Sequence, residues 1–458
     1  MSTQILPDTG NAPSSIGAAI TTGFFAAVLM WMIAWVLHLP GVHAPLFLAI
    51  GLMLAALLGV CLLWIPDVTP SKRLAAGVLA GGTAGLINLM ILGSFIVEQP
   101  ESTADMANAA NQFQPNAVIV VAGSLGVCVA LGLLAGFLTR MIAKPAISPG
   151  AWLSRMGWVT ACTYLPLIAV GGLVTSTDSG MAVPDAGTSY GALSVLFPIK
   201  LMAEPRIFFE HSHRLFGTLA GITTLVLMLR VLVSKNTKLP KILSVLLFLA
   251  VCLQGLLGYI RVADQSTFFA IFHGIFAQLV LATACCTAIA LSARWKCASL
   301  DDEHRAVARR TRMMMALAFV ALFMQLGLGA VTRHLKSSHA MMTHAAFAFV
   351  LISLLIIAGS FCIRLGKADE GTKGIRPFGA FIHGLVVLQF TLGWAVLGLT
   401  WKGEPRNLPT SEQLDSAPPP DIMALVPTAH QLIGALLFAS VACGLFWAIR
   451  ISSARKIG

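Results

Sequence analysis

Four histidines hold matched positions in two stretches of the chain: His213 and His273 in one, His344 and His430 in the other. Each lies a few residues inside the start of a long apolar run. A neutral imidazole is a metal ligand and the usual axial ligand of haem iron. Two helices about 8–10 Å apart, each turning one imidazole inward, can clamp a flat macrocycle. Zinc or copper would ask for a third or fourth side-chain donor close by. Two histidines per stretch, repeated, favour haem. A lone intramembrane histidine is as often a helix-to-helix hydrogen bond, but four in register weigh against that reading.

Glu210 precedes His213 by three residues and shares its helix face. Beside a macrocycle, a carboxylate can take a proton from water or hold a cationic intermediate; its plainer use is an ion pair with Arg206 or Arg214. Arg214, Arg261 and Arg333 lie at outer helix ends. A guanidinium fork suits the carboxylates of haem propionates, and it also suits simple interfacial snorkelling. His304 reads as solvated, in a basic inner loop, and His383 as structural, at the wrong depth. His211, His334 and His339 lie near the outer mouth, with no role assigned.

The elements that position these residues follow from composition. The 458 residues are 57% apolar and 11% charged, with a mean hydropathy of +0.84. A soluble domain carries about 25% charge, so lipid is the solvent here. Disorder, collagen, coiled coil and secreted disulfide scaffolds are excluded. Apolar runs able to cross about 30 Å of hydrocarbon fall near 16–37, 45–65, 73–97, 116–142, 152–175 and 207–233. Six more fall near 241–262, 268–293, 311–333, 342–366, 378–401 and 425–450. The runs are continuous rather than alternating, which excludes a strand barrel. An all-α, polytopic membrane protein of about twelve helices is expected.

The charge distribution tests the count. With both termini in the cytoplasm, the outer side keeps only Lys200, Arg206, Arg214, Arg261, Arg333, Lys336, Lys402 and Arg406 of the 30 basic residues. The net charge of +11 is therefore mostly a topology signal, and nucleic acid needs no place. The first fifteen residues lack the basic region of a cleaved signal, so the first run is expected to stay attached. None of the nine cysteines falls in an outer loop, which argues against a disulfide framework.

Residues 1–148 hold four helices without evident chemistry, and their two histidines, His38 and His43, lie in a short outer loop. Residues 149–298 and 299–458 read as two four-helix units facing the same way, related by a pseudo-two-fold axis along the membrane normal. Gln254-Gly-Leu-Leu-Gly258 is similar to Gln389-Phe-Thr-Leu-Gly393, and Gly172-Leu-Val-Thr175 to Gly329-Ala-Val-Thr332. All four histidines then sit within about two or three turns of the outer surface.

Taken together, residues 150–450 resemble the heme A synthases. The likeness rests on Gly171-Gly-Leu-Val-Thr-Ser-Thr-Asp-Ser-Gly180 with Pro184-Asp185, on Glu210-His-Ser-His-Arg214, and on Gln254 to Val262 with His273 to Gln278. Gln325 to His334, His344 and His430 supply the second unit. The resemblance implies an oxidoreductase that converts the C8 methyl of heme O to the formyl of heme A, for cytochrome oxidase assembly, in a bacterial inner membrane. It implies heme O as substrate on His213 and His273, a haem b cofactor on His344 and His430, and Glu210 as the catalytic acid.

Four positions depart from the family pattern. Ile207 stands where it has a second acid, and Thr175 where its first unit usually has arginine. Val183 and Ser189 stand where many bacterial members carry two cysteines. The electron acceptor is left open, as is whether the extra helices bind a partner such as the heme O synthase or other oxidase assembly factors. The competing readings are a di-haem b electron carrier, which needs no acid at Glu210, and a transporter built from parallel repeats, which would place its ionisable groups at the midplane.

Overall fold

The computed structural model describes residues 15–42, 44–401 and 422–454; His43, Lys402, Arg406, Arg455 and Lys456 lie outside them. Among the described residues twelve helices are long and apolar enough to cross a membrane. They are α1 (Ser15–Leu37), α2 (Leu46–Trp64), α3 (Arg73–Ile96), α4 (Ala117–Leu138), α5 (Pro149–Ser176) and α6 (Pro205–Leu232). There follow α7 (Lys238–Ala263), α8 (Thr267–Leu291), α9 (Arg305–Leu335), α10 (Ser338–Leu365), α11 (Arg376–Trp401) and α12 (Ile422–Ser453). Helix is what lipid demands, because each backbone N–H and C=O finds its partner within the segment. The protein is an integral, multi-pass membrane protein.

Helix ends explain where the histidines fall. Ser148 caps α5 by accepting from Ala151 N–H, with Pro149 opening the helix. Glu204 caps α6 by accepting from the N–H groups of Arg206 and Ile207, followed by Pro205. Ser266 caps α8 and Ser337 caps α10 in the same way. At about 1.5 Å per residue, these starts put His213, His273 and His344 roughly 9–12 Å below the outer helix ends. The inner ends run beyond the apolar segments. α9 begins at Arg305, six residues before the apolar run, so that Arg305, Arg309 and Arg310 ride on a helical extension.

The helices of each unit close into a ring: α5–α6–α7–α8 and α9–α10–α11–α12, with α8 packed back on α5 and α12 on α9. The units meet through α5, α8, α9 and α12. His304 corrects an expectation. It is not simply solvated, because its Nε2 lies 3.0 Å from the Ala368 carbonyl and stitches two inner loops together.

The N-terminal helices pack against the first unit. α3 and α4 cross so closely that a Cβ at Gly77 would collide with the Gly132 carbonyl, and one at Gly81 with that of Cys128. Such contact needs small residues. Trp31 of α1 meets Phe216 of α6 edge-on at 5.8 Å, and Arg230 donates to Thr21 at 2.7 Å.

At the end of α2, Asp67 binds Lys144 at 2.6 Å and Arg155 of α5 at 2.7 Å. Beside it, fully buried Arg73 donates to the carbonyls of Val68, Thr139, Ile142, Pro66 and Lys144. Arg73→Ala would strand these carbonyls. A buried unsatisfied group costs about 1–3 kcal/mol, so a loss of at least about 2 kcal/mol is expected, read as a lower thermal midpoint of the detergent-solubilised protein.

Candidate functional site

Each of the four histidines packs on a glycine of the preceding helix in its ring. A Cβ added at Gly171 would stand 2.9 Å from Cε1 of His213, and one at Gly258 would stand 3.1 Å from that of His273. The same test gives 3.1 Å at Gly329 for His344 and 3.2 Å at Gly393 for His430. Four residues before each glycine stands Leu167, Gln254, Gln325 or Gln389. His344 Nδ1 lies 3.2 Å from the Gln325 carbonyl. The other three Nδ1 atoms are buried and close no hydrogen bond.

Gln254 and Gln325 reciprocate by donating to the carbonyls of His273 at 3.0 Å and His344 at 2.8 Å. Gln389 instead brings its amide nitrogen 3.2 Å from Nε2 of His430. A ligand on that nitrogen requires Gln389 to turn to the position its two counterparts already hold.

This geometry moves the internal match by one residue. Gly171, not Gly172, is the counterpart of Gly329, because those are the glycines under the histidines. Thr175 then matches Arg333, and Glu210, three residues before His213, matches Met341 before His344.

The pairs come together as the sequence predicts. Ring centroids of His213 and His273 are 6.3 Å apart at 73°; those of His344 and His430 are 6.4 Å apart at 74°. A metal midway between two imidazole nitrogens, with bonds of about 2 Å, puts ring centroids about 6 Å apart. Among the described residues no three His, Cys, Asp or Glu side chains gather as a metal site. Each pair thus offers two imidazole donors, a set that would suit an ion whose other ligands come from a macrocycle.

One cavity of about 1760 Å³ is lined by all four histidines together with Glu210, Arg214, Arg261, Arg333 and His334. Ligand pockets usually hold about 300–1,000 Å³, so this one has room for two large ligands.

Glu210 is only 4% exposed. Its Oε2 accepts from Val183 N–H at 2.8 Å and its Oε1 from Arg214 Nη2 at 2.7 Å. A carboxylate has about four acceptor positions, so two protein bonds aim it and leave acceptor capacity toward the cavity. Val183 sits in the outer loop 177–204, which is firmly built. Asp185 Oδ2 accepts from Thr188 and Gly191, and Tyr190 donates to the Ala182 carbonyl at 2.7 Å. Burial first, then the nearby carboxylates of Glu204, Glu210 and Asp185, push the Tyr190 phenol up, which keeps it a donor.

The arginines divide. Arg214 was expected to reach a propionate. Its two terminal nitrogens instead donate to the carbonyls of Asp185, Thr188 and Val183 and to Glu210, so it braces loop and acid. Arg261 lies over Gly180 on the cavity wall. Arg333 lines the cavity and donates to Ser176 at 2.8 Å.

The remaining histidines also separate. His211 is fully buried away from the cavity, 3.3 Å from Ser189 Oγ and with its ring centroid 4.7 Å from that of Phe197. His339 is exposed. His383 joins α11 to α10 through the Ile356 carbonyl at 3.0 Å, the structural part expected of it. Glu204 is a helix cap, and Ile207 is buried in an apolar cluster with Phe208 and Phe209.

The sequence shows these glycines and glutamines as repeat motifs, but not that they seat and brace the histidines, although the signal is present. Gln254 precedes His273, and Gln325 precedes His344, by the same 19 residues.

Residues 154–348 match the family model described as cytochrome oxidase assembly protein, COX15-CtaA. The matched segment runs from α5 into α10 and includes Glu210, His213, His273 and His344. Neither the curated proteins nor the solved structures give a match.

Proposed function

We propose, on the match of residues 154–348 to the cytochrome oxidase assembly protein family, that the protein is a heme A synthase, oxidising the C8 methyl of heme O to a formyl group. The observation that carries this reading is an asymmetry. The two histidine pairs are geometric copies, yet among the described residues only the first has a carboxylate beside it, Glu210, where the second has Met341. A pure electron carrier has no use for that difference.

In this reading His213 and His273 hold heme O as substrate, and His344 and His430 hold haem b. Haem b, when bound, supplies one-electron transfer. The Nδ1 of His344, turned to the Gln325 carbonyl at 3.2 Å, would leave its Nε2 as the ligating nitrogen. Arg261 and Arg333, one per unit, supply positive charge for propionates at the outer mouth. Glu210, aimed by Val183 and Arg214, accepts a proton from the water that adds at the oxidised methyl carbon. The basic inner loops put both ends of the described chain on the cytoplasmic side, and the heme O synthase is the partner that would supply substrate.

The test is expression in a host that makes heme O but no heme A, followed by haem extraction and mass analysis. Heme A in the extract supports the synthase; haem b with unmodified heme O alone overturns it and leaves the di-haem carrier. The glycine seats give a narrower expectation. Gly329→Val, by filling the space under His344, should reduce haem b retained by the purified protein at least about tenfold, since a misplaced ligand forfeits about 1.4 kcal/mol or more.

A further inference from the structure

The two units differ at one seam, and the difference bears on how ligands reach them. In the second unit α10 and α11 are stitched by aromatic rings. Phe349 meets Phe390 at 5.7 Å and Trp394 at 6.5 Å, and Phe390 meets Trp394 at 6.0 Å. By the register of the histidines and glycine seats, Thr218 and Gly255 are the counterparts of Phe349 and Phe390 in the seam between α6 and α7. Gly217 replaces Ala348, and Tyr259 replaces Trp394. A Cβ at Gly217 or at Gly255 would meet nothing within 4 Å. Both glycines and Thr218 line the cavity, and Gly255 is exposed. The cavity behind this seam also holds an unused acceptor: Gln278, only 8% exposed, has a side-chain oxygen with no partner and lies on the cavity wall.

We propose that a lipophilic haem enters and leaves the first unit sideways from the bilayer, through the α6–α7 seam that Gly217, Thr218 and Gly255 leave unfilled, while Phe349, Phe390 and Trp394 close the equivalent seam and keep the second unit's haem resident. This rests on the synthase reading for the identity of the ligand. The physical reason is simple. A macrocycle bearing a long apolar chain is far more soluble in hydrocarbon than in water, so a lateral slot spares it an aqueous passage. A substrate must exchange every turnover, whereas a cofactor must not.

The experiment uses the full-length protein in lipid nanodiscs and zinc protoporphyrin offered in phosphatidylcholine vesicles, with uptake followed by fluorescence. Copying the closed seam into the first unit, Thr218→Phe with Gly255→Phe, should slow uptake at least about tenfold while the haem retained by the second unit is unchanged. The reverse exchange, Phe349→Thr with Phe390→Gly, should speed loss of the retained haem at least about tenfold. Uptake at the original rate in the first variant, or unaltered retention in the second, overturns the proposal. Should the closing variant fail to fold, the opening variant alone decides. Neither readout requires heme A to be made, so failure of the portal and failure of the synthase reading are told apart.

Discussion

Glu210→Ala should lower heme A formation by about a hundredfold or more, the usual contribution of a positioned acid or base, while the protein still binds heme O. The distinction is measurable, because haem extraction reports bound heme O and product separately. Binding is expected to persist because the imidazoles of His213 and His273 sit on Gly171 and Gly258, not on the carboxylate. Glu210→Gln is the sharper variant. An amide oxygen can still accept from Val183 N–H, which now meets Oε2 at 2.8 Å, so the loop should stay folded. It cannot take a proton from water. If Glu210→Gln forms heme A at the original rate, Glu210 is only a brace for Arg214 and the acid lies elsewhere.

His344→Ala should abolish both haem b retention in the second unit and turnover, while heme O still binds the first. His344 has the most complete support of the four, with Gln325 bonded to its ring and to its carbonyl. Removing it leaves His430 facing a gap of the 6.4 Å that now separates the ring centroids. The expected spectrum loses the signature of a bis-imidazole haem, and the haem-to-protein ratio falls by one. His344→Met offers a second axial ligand, and methionine–histidine ligation raises the potential of a haem. That variant should retain haem with a higher midpoint potential. Full turnover by His344→Ala would remove haem b from the reaction.

Much of this was legible from the chain. Twelve apolar runs interrupted by basic loops dictate the spans, because charge is too costly in lipid to fall elsewhere. Histidines at equal depth in two units read as two pairs, and the rings place them so. Contacts between distant segments were not legible. Glu210 and Val183 are 27 residues apart, and nothing in either residue announces that a loop amide will aim the carboxylate. The same loop takes up Arg214, which by type suited a propionate. The internal repeat was misread by one residue because Gly171 and Gly172 are both glycine; only the imidazole above tells which is the seat. His304, in a charged stretch, gave no sign of the Ala368 carbonyl waiting 64 residues on.

The contact of α1 with α6 also has a consequence in time. Helices emerge from synthesis in chain order, so α1 to α4 are in the bilayer before α6 arrives. Trp31 and Trp35 then already stand where Phe216 will pack, and Thr21 already offers an oxygen to the guanidinium of Arg230. A long helix carrying a partly buried cation and a buried acid is a poor candidate to wait alone in lipid. The first four helices thus offer α6 packing partners, Trp31, Trp35 and Thr21, from the moment it enters the bilayer.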